Sequence, residues 1–124
     1  MRYYIYQARD LSAIDADGSS DPFLVLNNCQ GDNMKTKTIQ DSLNPVFYTV
    51  KDLVYEFDEL ENAPPVIIHV FDEDKGLFDN NPDYMGSAVI HLKKAHVHNQ
   101  QKTFKKMLNT PPVPKWHDFR VGLN

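Results

Sequence analysis

The run Val66-Ile67-Ile68-His69-Val70-Phe71, followed at once by Asp72-Glu73-Asp74, decides how the rest of the chain is read. β-Branched and aromatic residues dominate it, Pro64-Pro65 opens it, and it is too short for a helix of ordinary length. It is therefore expected to be a buried strand. Acids begin where the apolar residues stop. Strand side chains alternate between faces, so Asp72 and Asp74 project the same way. A polar loop runs on to Asp83, and Tyr84-Met85-Gly86-Ser87-Ala88-Val89-Ile90-His91-Leu92 makes the next strand. Working back from 66, extended runs are expected over 4–9, 23–26, 35–39, 46–50 and 53–57, with a bulge at Lys51-Asp52. Asp17-Gly18-Ser19-Ser20-Asp21-Pro22, Gln30-Gly31-Asp32-Asn33 and Leu43-Asn44-Pro45 supply the turn and breaker chemistry between them. Beyond 92 the pattern changes to Lys, Gln and His, with lysines gathered from Lys93 to Lys106 and a short helix expected over 103–108. A final strand is expected over 115–119, with Trp116 and Phe119 in the core or at its edge. About seven short strands separated by turns point to an all-β antiparallel sandwich or barrel.

At 124 residues, with 41% hydrophobic and 24% charged residues, the chain has the size and make-up of one globular domain. A net charge of -4 argues against a nucleic-acid partner, whose protein surfaces are usually basic. The single cysteine, Cys29, cannot form an internal disulfide, and this favours a reducing compartment. No apolar run approaches the ~20 residues that cross a bilayer. The opening Met1-Arg2-Tyr3-Tyr4-Ile5-Tyr6 lacks the apolar region of a signal peptide.

The charge is unevenly spread, and eight acids fall within 15–21 and 72–83. Calcium takes six to eight oxygens at about 2.3–2.6 Å, mostly carboxylate and carbonyl. Aspartates crowded at strand-to-strand turns repel one another, and a cation offsets that cost. One element offers Asp15 and Asp21 around a Gly-Ser turn, and the other offers Asp72 and Asp74, closing with Asp83. Neither loop has the spacing of an EF-hand. An enzyme is not expected, because Gly-x-Ser-x-Gly and a Gly-rich phosphate loop are both absent and Cys29 has no partner nearby in sequence.

Leu11, Asp15, Gly18 and Asp21-Pro22-Phe23, then Asn44-Pro45-Val46-Phe47, then Val70-Phe71-Asp72-Glu73-Asp74, then Asp83 and Gly86 together resemble the C2 domain family in order and spacing. The stretch from Tyr3 to Leu11, with Pro64-Pro65-Val66-Ile67 and Pro114-Lys115-Trp116, is most similar to the C2 domains of ferlins. The resemblance implies an eight-stranded Greek-key β-sandwich over 1–124, of which seven strands are visible in the sequence, as one domain of a larger protein. It implies Ca2+ as cofactor, with Asp15, Asp21, Asp72, Asp74 and Asp83 as side-chain ligands and the carbonyls of Ile14 and Glu73 beside them. The interval from Asp74 to Asp83 exceeds the family's commonest spacing, so Asp79 is the alternative fifth ligand.

The resemblance further implies calcium-dependent binding to anionic phospholipid within a vesicle-trafficking or membrane-fusion protein. Leu77 and Phe78 would touch the membrane, and Lys35 and Lys37 would meet lipid headgroups. The expected location is cytoplasmic and peripheral at membranes, or the cytoplasmic part of a membrane-anchored protein. A calcium-independent protein-interaction module is the alternative. A missing eighth strand would leave an open sheet edge, and with it a dimer formed by strand exchange.

Overall fold

A computed structural model describes residues 1–13, 18–73, 81–92 and 114–121. Its strands are β1 (Arg2–Gln7), β2 (Pro22–Asn27), β3 (Asn33–Lys35), β4 (Val46–Asp52), β5 (Val66–Asp72) and β6 (Asp83–Ile90), with a short 3-10 turn at Leu60–Asn62. The run that the sequence marks as central is central in space. β5 pairs antiparallel with β2 on one side and β6 on the other, within a sheet ordered β3-β2-β5-β6. β4 leaves that sheet to pair antiparallel with β1, forming a second sheet of two strands.

Alternation then sets the core. Leu24, Leu26, Val66, Val70 and Met85 of the larger sheet pack against Ala8 and Leu53 beside the smaller one, with Tyr3, Ile5 and Phe47 partly buried over them. Two antiparallel layers closing on one apolar seam make a β-sandwich.

Three expected strands differ, each for a local reason. The run over 53–57 is no strand. Leu53 exchanges backbone hydrogen bonds with Met1, and there the ladder ends. Beyond it side-chain amides take the place of a neighbouring strand. Asn28 Nδ2 donates to the Val54 carbonyl at 2.7 Å, while the Gln30 amide donates to the Glu56 carbonyl at 2.6 Å and accepts from its N–H at 3.0 Å. The third strand stops at Lys35 rather than reaching Ile39, because Thr36 Oγ1 accepts the Leu24 N–H at 2.9 Å in place of a backbone carbonyl.

The third difference is the run over 115–119, which holds to β6 through a single bridge, Arg120 to Ser87. Trp116 is accordingly not in the core. It is 55% exposed, with the Arg9 guanidinium 4.1 Å from its ring, whereas Phe119 does pack against the core. The described residues thus form six strands and one bridge. The expected bulge also lies elsewhere, opposite Ile5–Gln7, where Tyr48 takes a φ of 41°. The expected helix over 103–108 and the lysines from 93 to 106 lie outside the described residues.

Leu26 is fully buried between the layers, so Leu26→Ala is expected to cost about 3 kcal/mol of unfolding free energy, read from urea titration. The half-buried Tyr3 phenol is raised well above its ordinary value, first by burial and then by its hydrogen bond with the Tyr55 hydroxyl at 3.4 Å. A raised acid keeps its proton longer in the folded chain, so its contribution is complete below a pH of about 10 and is lost above it. Thermal melts above that pH should show falling stability, and Tyr3→Phe should flatten the fall.

Candidate functional site

The ladder carries acids from three strands to one end of the larger sheet. Pro22 lies opposite Asp72 in the β2–β5 pairing, and Asp72 lies opposite Asp83 in the β5–β6 pairing. Asp21 directly precedes Pro22, so Asp21, Asp72 and Asp83 meet where β2 begins, β5 ends and β6 begins. Directly opposed side chains in an antiparallel pair sit about 5 Å apart at Cβ, and like charges there destabilise the pair.

Asp72 is the buried member, only 1% exposed, and its Oδ1 accepts the Asp21 N–H at 2.7 Å. The Asp21 carboxylate in turn accepts the Asp41 N–H at 2.8 Å. The Asp21 carbonyl accepts the Glu73 N–H at 2.9 Å, fastening the start of β2 to the segment leaving β5. The Glu73 carboxylate accepts from the Thr38 hydroxyl. Around the first loop the wholly buried Ser20 donates its hydroxyl to the Ser12 carbonyl at 2.9 Å, and Ser19 donates to Asp41 at 3.1 Å. The Asp21 bonds hold the start of β2 to the end of β5, and the Ser20–Ser12 bond ties the two flanks of the first acidic loop to each other.

Of the expected ligands, Asp21, Asp72 and Asp83 therefore stand at the same strand ends, with Asp83 exposed, and Glu73 adjoins them. Asp15, Ile14, Asp74 and the alternative Asp79 lie outside the described residues, as do Leu77 and Phe78. Among the described residues no group of three or more His, Cys, Asp or Glu is close enough to hold a metal ion. Among the described residues, too, the two salt bridges are Arg2–Asp52 and Arg9–Asp10, so no described cation pairs with Asp21 or Asp83. The acids at these strand ends offer oxygen, the chemistry that a hard cation takes.

Lys35 and Lys37 are both exposed, but they do not share a strand, since β3 ends at Lys35. Lys35 Nζ lies 4.1 Å from the Phe23 ring centre, over an aromatic group of Phe23, Phe71, His69 and Tyr84 on the outer face of the sheet. Asp41 is the participant that the sequence reading missed. Its signal was faint: an Asp-Ser pair four residues before Pro45, the common grammar of a turn, and it adopts a positive φ of 50°.

The C2 domain family model matches residues 1–108 of the chain. Among curated proteins, a multiple C2 and transmembrane domain-containing protein of Drosophila melanogaster is 36% identical over 92 residues, covering 74% of this chain and 9% of its own length. Myoferlin of Xenopus tropicalis is 35% identical over 95 residues, covering 72% of this chain and 5% of its own length. The ferlin likeness is thus real but shared with other multi-C2 proteins. The chain spans less than a tenth of either relative. Among solved structures, a calcium-bound pair of C2 domains from extended synaptotagmin 2 superposes with a TM-score of 0.59 at 28% identity, covering 73% of this chain and 33% of that one.

The Asp72 carboxylate has a structural duty separable from any charge it offers. Asp72→Ala strips the acceptor from the Asp21 N–H and is expected to destabilise the fold by about 1–3 kcal/mol. Asp72→Asn retains an oxygen there and should cost less, as paired urea titrations will read.

Proposed function

We propose that this chain, which belongs to the C2 domain family, is a calcium-dependent membrane-docking module whose cation is held between the loop before β2 and the loop after β5. One observation carries the reading: the sheet register sets Asp21, Asp72 and Asp83 at the same strand ends, with Asp72 buried. The oxygen donor set fits calcium, and Asp15 and Asp74, supplied by the two loops, would complete the ligands. The carbonyls of Ile14 and Glu73 would serve beside them, with Asp83, or Asp79 from the longer loop, as the fifth carboxylate.

Bound calcium supplies positive charge and open coordination positions for anionic headgroup oxygens. The chain's own part is electrostatic and apolar. Without a cation the clustered carboxylates repel an anionic surface, and with their charge offset the loops can approach it. Leu77 and Phe78 then enter the lipid, a transfer worth roughly 3–5 kcal/mol for the two. Lys35 and Lys37 offer a secondary attraction to headgroups.

The parent protein is proposed to be a multi-C2 membrane-trafficking protein, in keeping with the relatives, and the domain would act at the cytoplasmic surface of a membrane. Among the described residues no helix is long and apolar enough to cross one. A catalytic role is not proposed.

Asp72→Asn combined with Asp74→Asn tests the mechanism, since the first change keeps the Asp21 N–H bonded. Sedimentation with anionic phospholipid vesicles should show calcium-dependent binding in the parent chain. The double variant should lose at least tenfold in affinity, about 1.4 kcal/mol. Undiminished calcium-dependent sedimentation in the double variant sinks the proposal. Calorimetry showing no calcium heat up to millimolar concentration would instead favour a calcium-independent protein-interaction module.

A further inference from the structure

The loop over 36–45, between β3 and β4, is bonded along its length to β2, to the segment leaving β5 and to both flanks of the first acidic loop. Thr36 and Ile39 donate their N–H groups to the Leu24 and Pro22 carbonyls, each at 2.9 Å, and the Thr38 hydroxyl donates to Glu73. At its far end the loop accepts from the first flank. Asp10 donates to the Asn44 side chain and Leu11 to the Leu43 carbonyl, each at 3.0 Å. Asp41 stands between these two anchorages.

Asp41 has a φ of 50°, the left-handed conformation. Aspartate and asparagine tolerate it because a short polar side chain bonds locally, whereas a β-branched residue is strained there. Around this residue two successive N–H groups face the second flank of the acidic loop. Asp41 donates to Asp21 Oδ1 at 2.8 Å, and Ser42 donates to the Ser20 carbonyl at 2.9 Å. Successive N–H groups in such a turn form a cradle for negative charge. The Asp41 side chain closes the arrangement, since its Oδ1 accepts the Ser19 hydroxyl at 3.1 Å.

A carboxylate bonded through one oxygen to a backbone N–H is restrained in rotation, and its second oxygen is left for another partner. Among the described residues no further bond reaches the Asp21 carboxylate. Asp21 is thus set in place by a neighbour whose own backbone is fixed from both sides.

We infer that Asp41 is a positioning residue for the proposed cation site, fixing the Asp21 carboxylate before any ion arrives, and this rests on the calcium reading above. Asp41 acts through Asp21 and is not itself a ligand. Calcium affinity is tuned by the charge of the ligands and by the rigidity of the site. An oxygen already in place needs less ordering when the ion binds, so the turn at Asp41 raises affinity through rigidity.

Calorimetric titration of the full chain with calcium chloride, after chelation and removal of the chelator, separates position from charge. Asp41→Asn keeps the left-handed turn and an oxygen for Ser19 while dropping the charge. It should bind calcium within about threefold of the parent chain. Asp41→Val strains the turn that aims both N–H groups at the first loop, and should weaken binding at least tenfold. Urea titration in chelator accompanies each variant, because a merely structural role would lower the unfolding midpoint and leave the affinity of the folded chain unmoved. A second readout needs no calcium and keeps the test sound if Asp41→Val fails to fold. In chelator the Asp41 amide should exchange with solvent at least tenfold more slowly in the parent chain than in Asp21→Ala, which removes the accepting carboxylate and keeps the Asp21 backbone.

Three results overturn the inference alone. The first is equal loss of calcium in Asp41→Asn and Asp41→Val, which would make charge the cause. The second is a folded Asp41→Val chain that binds as the parent does. The third is an Asp41 amide whose exchange ignores Asp21→Ala. A parent chain that takes no calcium up to millimolar concentration instead overturns the calcium reading, and the positioning role with it.

Discussion

β5 is clamped on both sides, by β2 through Pro22 to Asn27 and by β6 through Asp83 to Ile90, and this double ladder governs the molecule. A slip of one residue on either side would turn Leu24, Leu26 and Met85 away from the core. The burial of Val66 and Val70 locks the register against that slip. The same register carries Pro22, Asp72 and Asp83 to one end in a row. The position of these acids therefore follows from the register that core packing sets.

That placement has an energetic tension. A buried carboxylate is costly unless it is hydrogen-bonded, and Asp72 is held by the Asp21 N–H at 2.7 Å. Asp21 is in turn held through its carboxylate to Asp41 and through its carbonyl to Glu73. The bonds satisfy geometry but leave the charge. Acids side by side at strand ends are stable neighbours only when their repulsion is offset, and this supports the cation proposed for them.

Amides rather than acids finish the opposite end. Asn28 accepts from the Gln30 and Asp32 N–H groups while donating to Val54, and Gln30 pairs with the backbone of Glu56. A segment that would otherwise need a partner strand is satisfied by two side chains. Amides carry no charge to be offset, so this end can be closed by the chain alone.

The sequence by itself determined the class of fold, the central strand and the position of the acids along the chain. Alternation, turn residues and the apolar run over 66–71 are local signals, and a strand reads the same wherever it is placed. The order of the C2 motifs was legible for the same reason, since motif spacing belongs to the chain. What only the tertiary structure decided was which backbone groups find partners. The run over 53–57 reads as strand but is satisfied by Asn28 and Gln30, whose role depends on where the β2–β3 turn lies in space. Trp116 reads as core, yet it sits exposed against Arg9. Asp41 joined Asp21 across twenty residues of chain. Hydrogen bonds and burial depend on neighbours distant in sequence, so their assignment waits on the packed structure.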